Sequence, residues 1–196
     1  MSTQKTARQR ADTVEENAVR IDTEKAEQIV EALNRDLAST YVLYHQVRKH
    51  HWNVEGAESG DLHDFLDQAA ETLEDRADSI AERAQALGGV PVAGPAEQEA
   101  RSYVEFEGED VYAIRDSLEA DLEAYGDVIE NVREHVGLAD DLGDYATAEL
   151  LRDTLEELED DAHEIDHYLA TDTLGPDPTA PNPEPDRRAR DHPNAS

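Results

Sequence analysis

The chain has 196 residues, a length that suits one domain with tails, and sets 48 Asp and Glu against 17 Lys and Arg for a formal net charge of −31. Phosphate-rich partners are met by clustered Lys and Arg, and the only lysines are Lys5, Lys25 and Lys49, so nucleic acid and anionic lipid are poor partners. The absence of cysteine excludes disulfides and thiolate metal sites, and the lack of a secretory segment or an apolar run of spanning length leads to the expectation of a cytoplasmic protein with no membrane contact.

Self-repulsion on this scale is tolerable where salt screens it, since the Debye length falls to about 3 Å at molar ionic strength, and the composition reads as that of a halophile. Residues 1–21 form a mixed-charge arm that sets Lys5, Arg8, Arg10 and Arg20 against Asp12, Glu15 and Glu16. A first helix is predicted from Asp22 or Thr23, with Ala26, Val30, Leu33, Leu37, Tyr41 and Tyr44 recurring at three-four spacing. After the short "NVEGAESG", a second helix carries Leu62, Leu66, Ala69, Leu73, Ile80, Ala84 and Leu87 and is stopped by Gly88, Gly89 and Pro91. Residues 88–110 make a longer connection with a short helix around "PAEQEARSY". A third helix runs from Val111 through Leu118, Tyr125 and Val132 to Val136 and is expected to stop at Gly137; a fourth carries Leu151, Leu155, Leu158, Ala162, Ile165 and Leu169. Residues 172–196 are a Pro-rich tail predicted to be disordered.

Short connections make helices one and two, and three and four, antiparallel neighbours, while the connection between two and three crosses over. The fold class is therefore all-α, a ferritin-like four-helix bundle over residues 22–171 with one long crossover between helices two and three.

The chemistry concentrates on helix two, where His63, Asp67, Glu71, Glu74, Asp78 and Glu82 follow at steps of 4, 4, 3, 4 and 4. At about 100° per residue they share an arc of about 100° beside the apolar stripe. In so acidic a chain a carboxylate stripe is ordinarily a solvated face. His51, however, closes helix one across a short loop from His63, so the two rings can meet. Asp78 and Glu82 lie about 22 and 28 Å further along the axis at 1.5 Å per residue, out of reach of that pair within one subunit. A two-fold mate whose second helix runs antiparallel, with the axis near Glu71, brings them together in two identical composite sites. Two imidazoles with two carboxylates suit iron or zinc. A di-iron centre inside the bundle is disfavoured, because only Glu164 and His167 show the Glu-x-x-His spacing it needs on each of two helices.

The segment "HHWNVEGAESGDLHDFLDQAAETLEDRADSIAERAQALGG" resembles the ferroxidase segment of the Dps family of mini-ferritins, in the form of a haloarchaeal-type acidic member. The match rests on His51-Trp52, His63 after 12 residues, Asp78 after 15 more and Glu82 after 4. The resemblance implies that His51 and His63 of one subunit, with Asp78 and Glu82 of its two-fold mate, form a catalytic ferroxidase site, and that Asp67 reaches a second metal directly or through water. It also implies a hollow dodecamer that oxidises Fe(II), preferably with hydrogen peroxide, and stores ferric mineral, protecting against oxidative damage. Trp52 is then part of the site wall, or simply a packing residue at the interface. Glu71 and Glu74 are candidate nucleation residues, against the plainer reading of solvated glutamates. Asp140, Asp141 and Asp144, placed at the start of helix four, are either caps or part of a route by which iron enters, as are His163 and His167, which share a helix face. The rivals are a DNA-binding, chromosome-compacting shell and a helical assembly with only structural zinc or no metal. Family members that bind DNA commonly use Lys-rich tails, which neither end of this chain provides.

Overall fold

The computed structural model describes residues 6–56 and 59–170, and every regular element among them is a helix: α1 (Thr23–Asn53), α2 (Ser59–Ala86), α3 (Pro95–Arg101), α4 (Ile114–Leu142) and α5 (Tyr145–Ala170). The predicted 172–196 tail lies outside the described residues. Helix α1 starts where its cap does, with the Asp22 side chain accepting the Glu24 N–H. Helix α1 packs on α2 and α4, and α5 packs on α4 and α2. That ring puts α2 diagonally opposite α4, so the connection carrying α3 has to cross the bundle, which is the ferritin-like topology. The apolar stripes meet in one core, where Leu33, Leu37, Leu66, Leu73, Ile80, Leu118, Tyr125, Leu151, Leu158 and Ile165 are all buried.

Two sequence expectations are corrected. Gly137 does not stop the third long helix, which begins at Ile114 and passes through it to Leu142; the left-handed residue is Gly143, at φ 81°, and Val111 is exposed outside the helix. Glycine in a helix costs only about 1 kcal/mol relative to alanine, and buried Ala139 beyond it keeps the chain packed, so glycine ends a helix where a left-handed turn follows. Asp140 and Asp141 consequently lie in the last turn of α4. Of that trio only Asp144 stands at the start of α5.

The crossover is tied to α1 by polar groups. Asn34 donates to the Val90 carbonyl at 3.2 Å and accepts the Val92 N–H at 2.8 Å, and the Tyr103 hydroxyl donates to buried Asp36 at 2.6 Å. Asp36 is also faced by His135 of α4 at 2.8 Å. His50 is held between Asp121, 2.7 Å from Nδ1, and Glu107, 2.5 Å from Nε2. Burial pulls the His50 pKa down, but the two carboxylates override it and raise it above its ordinary value. The arm, too, lies on the bundle. Gly88 accepts from Glu15 N–H and Gln9 Nε2, at 2.9 and 2.8 Å, and Asp12 pairs with Arg101 at 2.6 Å. A Cβ at Gly88 would sit 2.2 Å from the Glu15 carbonyl oxygen, so this close approach needs glycine as much as its φ of 84° does.

One half-buried acid has a pH signature. Asp161 of α5 accepts the Tyr125 hydroxyl at 3.1 Å, and its pKa is pushed up to about 6, by burial first and with Glu157 and Asp160 adding to it. A raised acid binds its proton more tightly folded than unfolded, so its contribution to stability is lost as pH climbs past about 6 and is intact below the ordinary aspartate range. Asp161→Asn keeps an acceptor for Tyr125 and removes the charge. It is expected to stabilise the fold by on the order of 2 kcal/mol at pH 7.5, with the gain vanishing near pH 4, in denaturant titrations at both pH values.

Candidate metal site

The last turn of α1 and the second turn of α2 bring His51 and His63 together, with ring centroids 4.0 Å apart. The short loop between two antiparallel helices leaves these residues at one end of the bundle, and the three-four spacing of each stripe turns both rings to the same side. His51 Nε2 lies 3.8 Å from Asp67 Oδ1, one helical turn beyond His63. Arg48, one turn before His51 on α1, donates to that same Asp67 oxygen and stands over the Tyr44 ring at 5.7 Å. The Arg48 hydrogen bond holds the Asp67 carboxyl below its ordinary pKa, so Asp67 is an anion across the neutral range.

His51 is the unusual member. Both of its ring nitrogens are buried, and neither has a hydrogen-bond partner. A buried imidazole without partners costs free energy unless something else meets its lone pair. Burial, then the neighbouring His63, lower its pKa and favour the neutral ring, the form that ligates a metal. His63 is half exposed at 51 % of its side chain, so the pair opens to the outside. The two imidazoles, with a carboxylate beside His51, offer nitrogen and oxygen donors of the kind iron or zinc takes.

Asp78 and Glu82 are exposed on the same edge of α2, about 15 to 19 residues and hence about 22 to 28 Å along the axis from His63, so the structure does not bring them to this pair. Among the described residues no group of three or more His, Asp or Glu closes round a point that could hold a metal. Glu71 and Glu74 are exposed between the two ends, and Tyr41 of α1 borders Glu74 and Asp78 closely enough that they, after burial, raise its pKa. Trp52 is 73 % exposed.

The acidic trio separates. Asp144 is buried, and both its oxygens are engaged: Oδ1 by Thr147 N–H and Arg83, at 3.1 and 2.6 Å, and Oδ2 by the Thr147 hydroxyl at 2.5 Å. It is the buried N-cap of α5 and its tether to α2. Asp140 is paired with Arg152, while Asp141 is exposed. His163 and His167 stack on α5 with ring centroids 4.1 Å apart.

Sequence reading missed Arg48, whose partner Asp67 is 19 residues away, and no local pattern announces that pairing. It also gave His50 and His135 no role, although each sits against a buried carboxylate. On α5 the shared face of His163 and His167 was read as part of an iron route, although residues 163 to 167 run His-Glu-Ile-Asp-His, a spacing that also suits a site of its own.

Residues 30–174 match the ferritin-like domain family. The chain is 62 % identical over 175 residues to the DNA protection during starvation protein of Halobacterium salinarum, covering 89 % of this chain and 96 % of that one. It is 38 % identical over 161 residues to a nutrient stress-induced DNA-binding protein of Synechococcus, covering 82 % and 92 %. In structure it is similar to the crystal structure of an archaeal Dps homologue from Halobacterium salinarum, with a TM-score of 0.84 and 60 % identity over 90 % of this chain and 98 % of that one.

Proposed function

The chain belongs to the Dps family of ferritin-like proteins, and from that premise we propose that it oxidises Fe(II) at sites shared by two subunits and stores the ferric product inside a shell. The observation that carries this reading is His51, with both ring nitrogens buried and without a hydrogen bond, beside His63. Fe(II) is the substrate. His51 and His63 bind it through nitrogen, Asp67 holds a second ion directly or through water, and Asp78 and Glu82 of a two-fold-related copy complete the oxygen set. Arg48 keeps Asp67 ionised and oriented; it is a positioning residue. With hydrogen peroxide as oxidant, two Fe(II) each give up one electron, the O–O bond breaks, and two protons are taken up to leave two waters. The exposed Trp52 forms part of the site wall and is covered by the second copy. Glu71 and Glu74 face the mineral as nucleation residues, and Asp141, unpaired at the end of α4, belongs to the route of iron entering the shell. The assembly is a homo-oligomer of two-fold dimers closing into a hollow dodecamer in the cytoplasm of a halophile; no described helix is long and apolar enough to cross a membrane.

DNA is the rival cargo, and the names of the relatives speak of DNA protection and DNA binding. The net charge of −31 and an arm laid on the bundle argue against it here, because duplex affinity scales with the number of phosphates neutralised. One preparation of the shell tests both readings. Added Fe(II) and peroxide should give rapid ferric absorbance, at least about a hundredfold faster than with a His51→Ala, His63→Ala variant of equal particle size, a loss of two nitrogen ligands per site. The same shell should leave duplex DNA unshifted in a gel at molar salt. Equal rates for the two proteins overturn the site, and a retarded band overturns the exclusion of DNA.

A further inference from the structure

Helix α5 carries a second histidine pair. His163-Glu164-Ile165-Asp166-His167 reads His-Glu-x-x-His, the helical spacing in which two imidazoles one turn apart face a single metal ion with a carboxylate beside them. The rings lie 4.1 Å apart, tilted by 56°, and Glu164 Oε2 is 4.0 Å from His167 Nδ1. Both side chains are exposed, 60 % for His167 and 51 % for Glu164. Ile165, between them in sequence, is fully buried, and this fixes the rotation of α5 and holds the pair outward. Asp160, one turn earlier on the same face, adds negative potential. Among the described residues the ring and ionic contacts of the two imidazoles are with each other and with Glu164. Two imidazoles stacked this closely repel when both are charged, and a cation shared between their lone pairs reverses the sign of that interaction.

We propose that His163 and His167 are the nitrogen ligands of a zinc-type site on α5, separate from the iron chemistry on α1 and α2. Imidazole nitrogen selects a d-block cation over Ca2+ or Mg2+. Glu164 supplies the movable oxygen ligand, and water takes the remaining position of a tetrahedral Zn2+. A site with an open position exchanges its metal, in contrast to a closed structural zinc. Because among the described residues no third histidine or carboxylate closes on the pair, Glu164 must turn toward the metal on binding.

The test uses the full-length assembled protein, stripped of metal with a chelator, and Zn2+ as the probe. The His51 and His63 pair would also take zinc, so the background is His51→Gln, His63→Gln. Equilibrium dialysis with elemental analysis should find zinc bound in that background near one ion per chain. Further substitution of His167→Gln, or of His163→Gln, should weaken it at least about tenfold, as removal of one of two nitrogen ligands requires. Co2+ in place of zinc should give a visible absorption band that the same substitutions abolish, while particle size and helical circular dichroism stay unchanged. No zinc in the background, or zinc retained after His163→Gln and His167→Gln, overturns the proposal; retention would mean that surface carboxylates alone hold the metal. Either failure leaves the iron site untouched, because its ligands are already absent from the background.

Discussion

Co-assembly of a His63→Ala chain with a Glu82→Ala chain should restore roughly a quarter of wild-type iron oxidation, although each variant alone should be nearly inactive. In a homodimer of either variant both composite sites lack a ligand. In a mixed dimer one site collects both lesions, and the other takes His63 from one chain and Glu82 from its mate and is whole. Random pairing makes about half the dimers mixed, and each regains one of its two sites. The prediction follows from helix length. At 1.5 Å per residue no bending of α2 brings Glu82 back to His63, so only a second copy can. Mass spectrometry of the intact shells shows that both chains are present, and ferric absorbance with added peroxide reads the rate. Shells containing both chains that oxidise iron no faster than either parent would remove Asp78 and Glu82 from the site.

The halves of that site differ in how far they can be read from sequence. His51 and His63 were legible because a helical period, a short loop and a second helical period are all local, and together they fix where two rings point. The start of α1 at Asp22 and the end of α2 at Gly88 and Gly89 were legible for the same reason. Gly137 misled because a glycine inside a helix and a glycine that ends one look alike until the next left-handed residue, Gly143, is seen. The grip of Arg48 on Asp67 and the clamp of His50 between Glu107 and Asp121 join residues 19 to 71 positions apart, and no periodicity encodes such pairs. The cap role of Asp144 was legible from its place before helix α5, but its burial and its tie to Arg83, 61 residues earlier, were not. Docking of the arm was equally hidden, since it depends on the Gly88 carbonyl being left open to Glu15 and Gln9.

Transfer from molar salt to dilute buffer should dissociate the shell and lower the melting temperature of what remains. The cause is visible along α2, where Asp67, Glu71, Glu74, Asp78 and Glu82 stand at steps of three and four on one edge. Like charges so placed cost about 0.2–0.5 kcal/mol per pair in an isolated helix, and more when a two-fold copy lays a second ladder alongside. At molar salt the Debye length is about 3 Å, and neighbouring carboxylates are screened from one another; at 10 mM it is about 30 Å, and each ladder feels the whole of its mate. The cations are too few to neutralise this, and several are already committed inside one chain, Arg48 to Asp67, Arg76 to Glu157, Arg83 to Asp144 and Arg133 to Glu159. A loss of several kcal/mol per chain corresponds to a fall in melting temperature on the order of 10 °C for a protein of this size. Light scattering and thermal circular dichroism at 3 M and 10 mM salt measure the two effects. Divalent metal added at low salt should partly reverse them, since it neutralises the ladder without long-range screening. A particle of the same mass and melting temperature at both ionic strengths would show that the carboxylates are spaced for solubility alone, and the halophilic reading of the composition would fall.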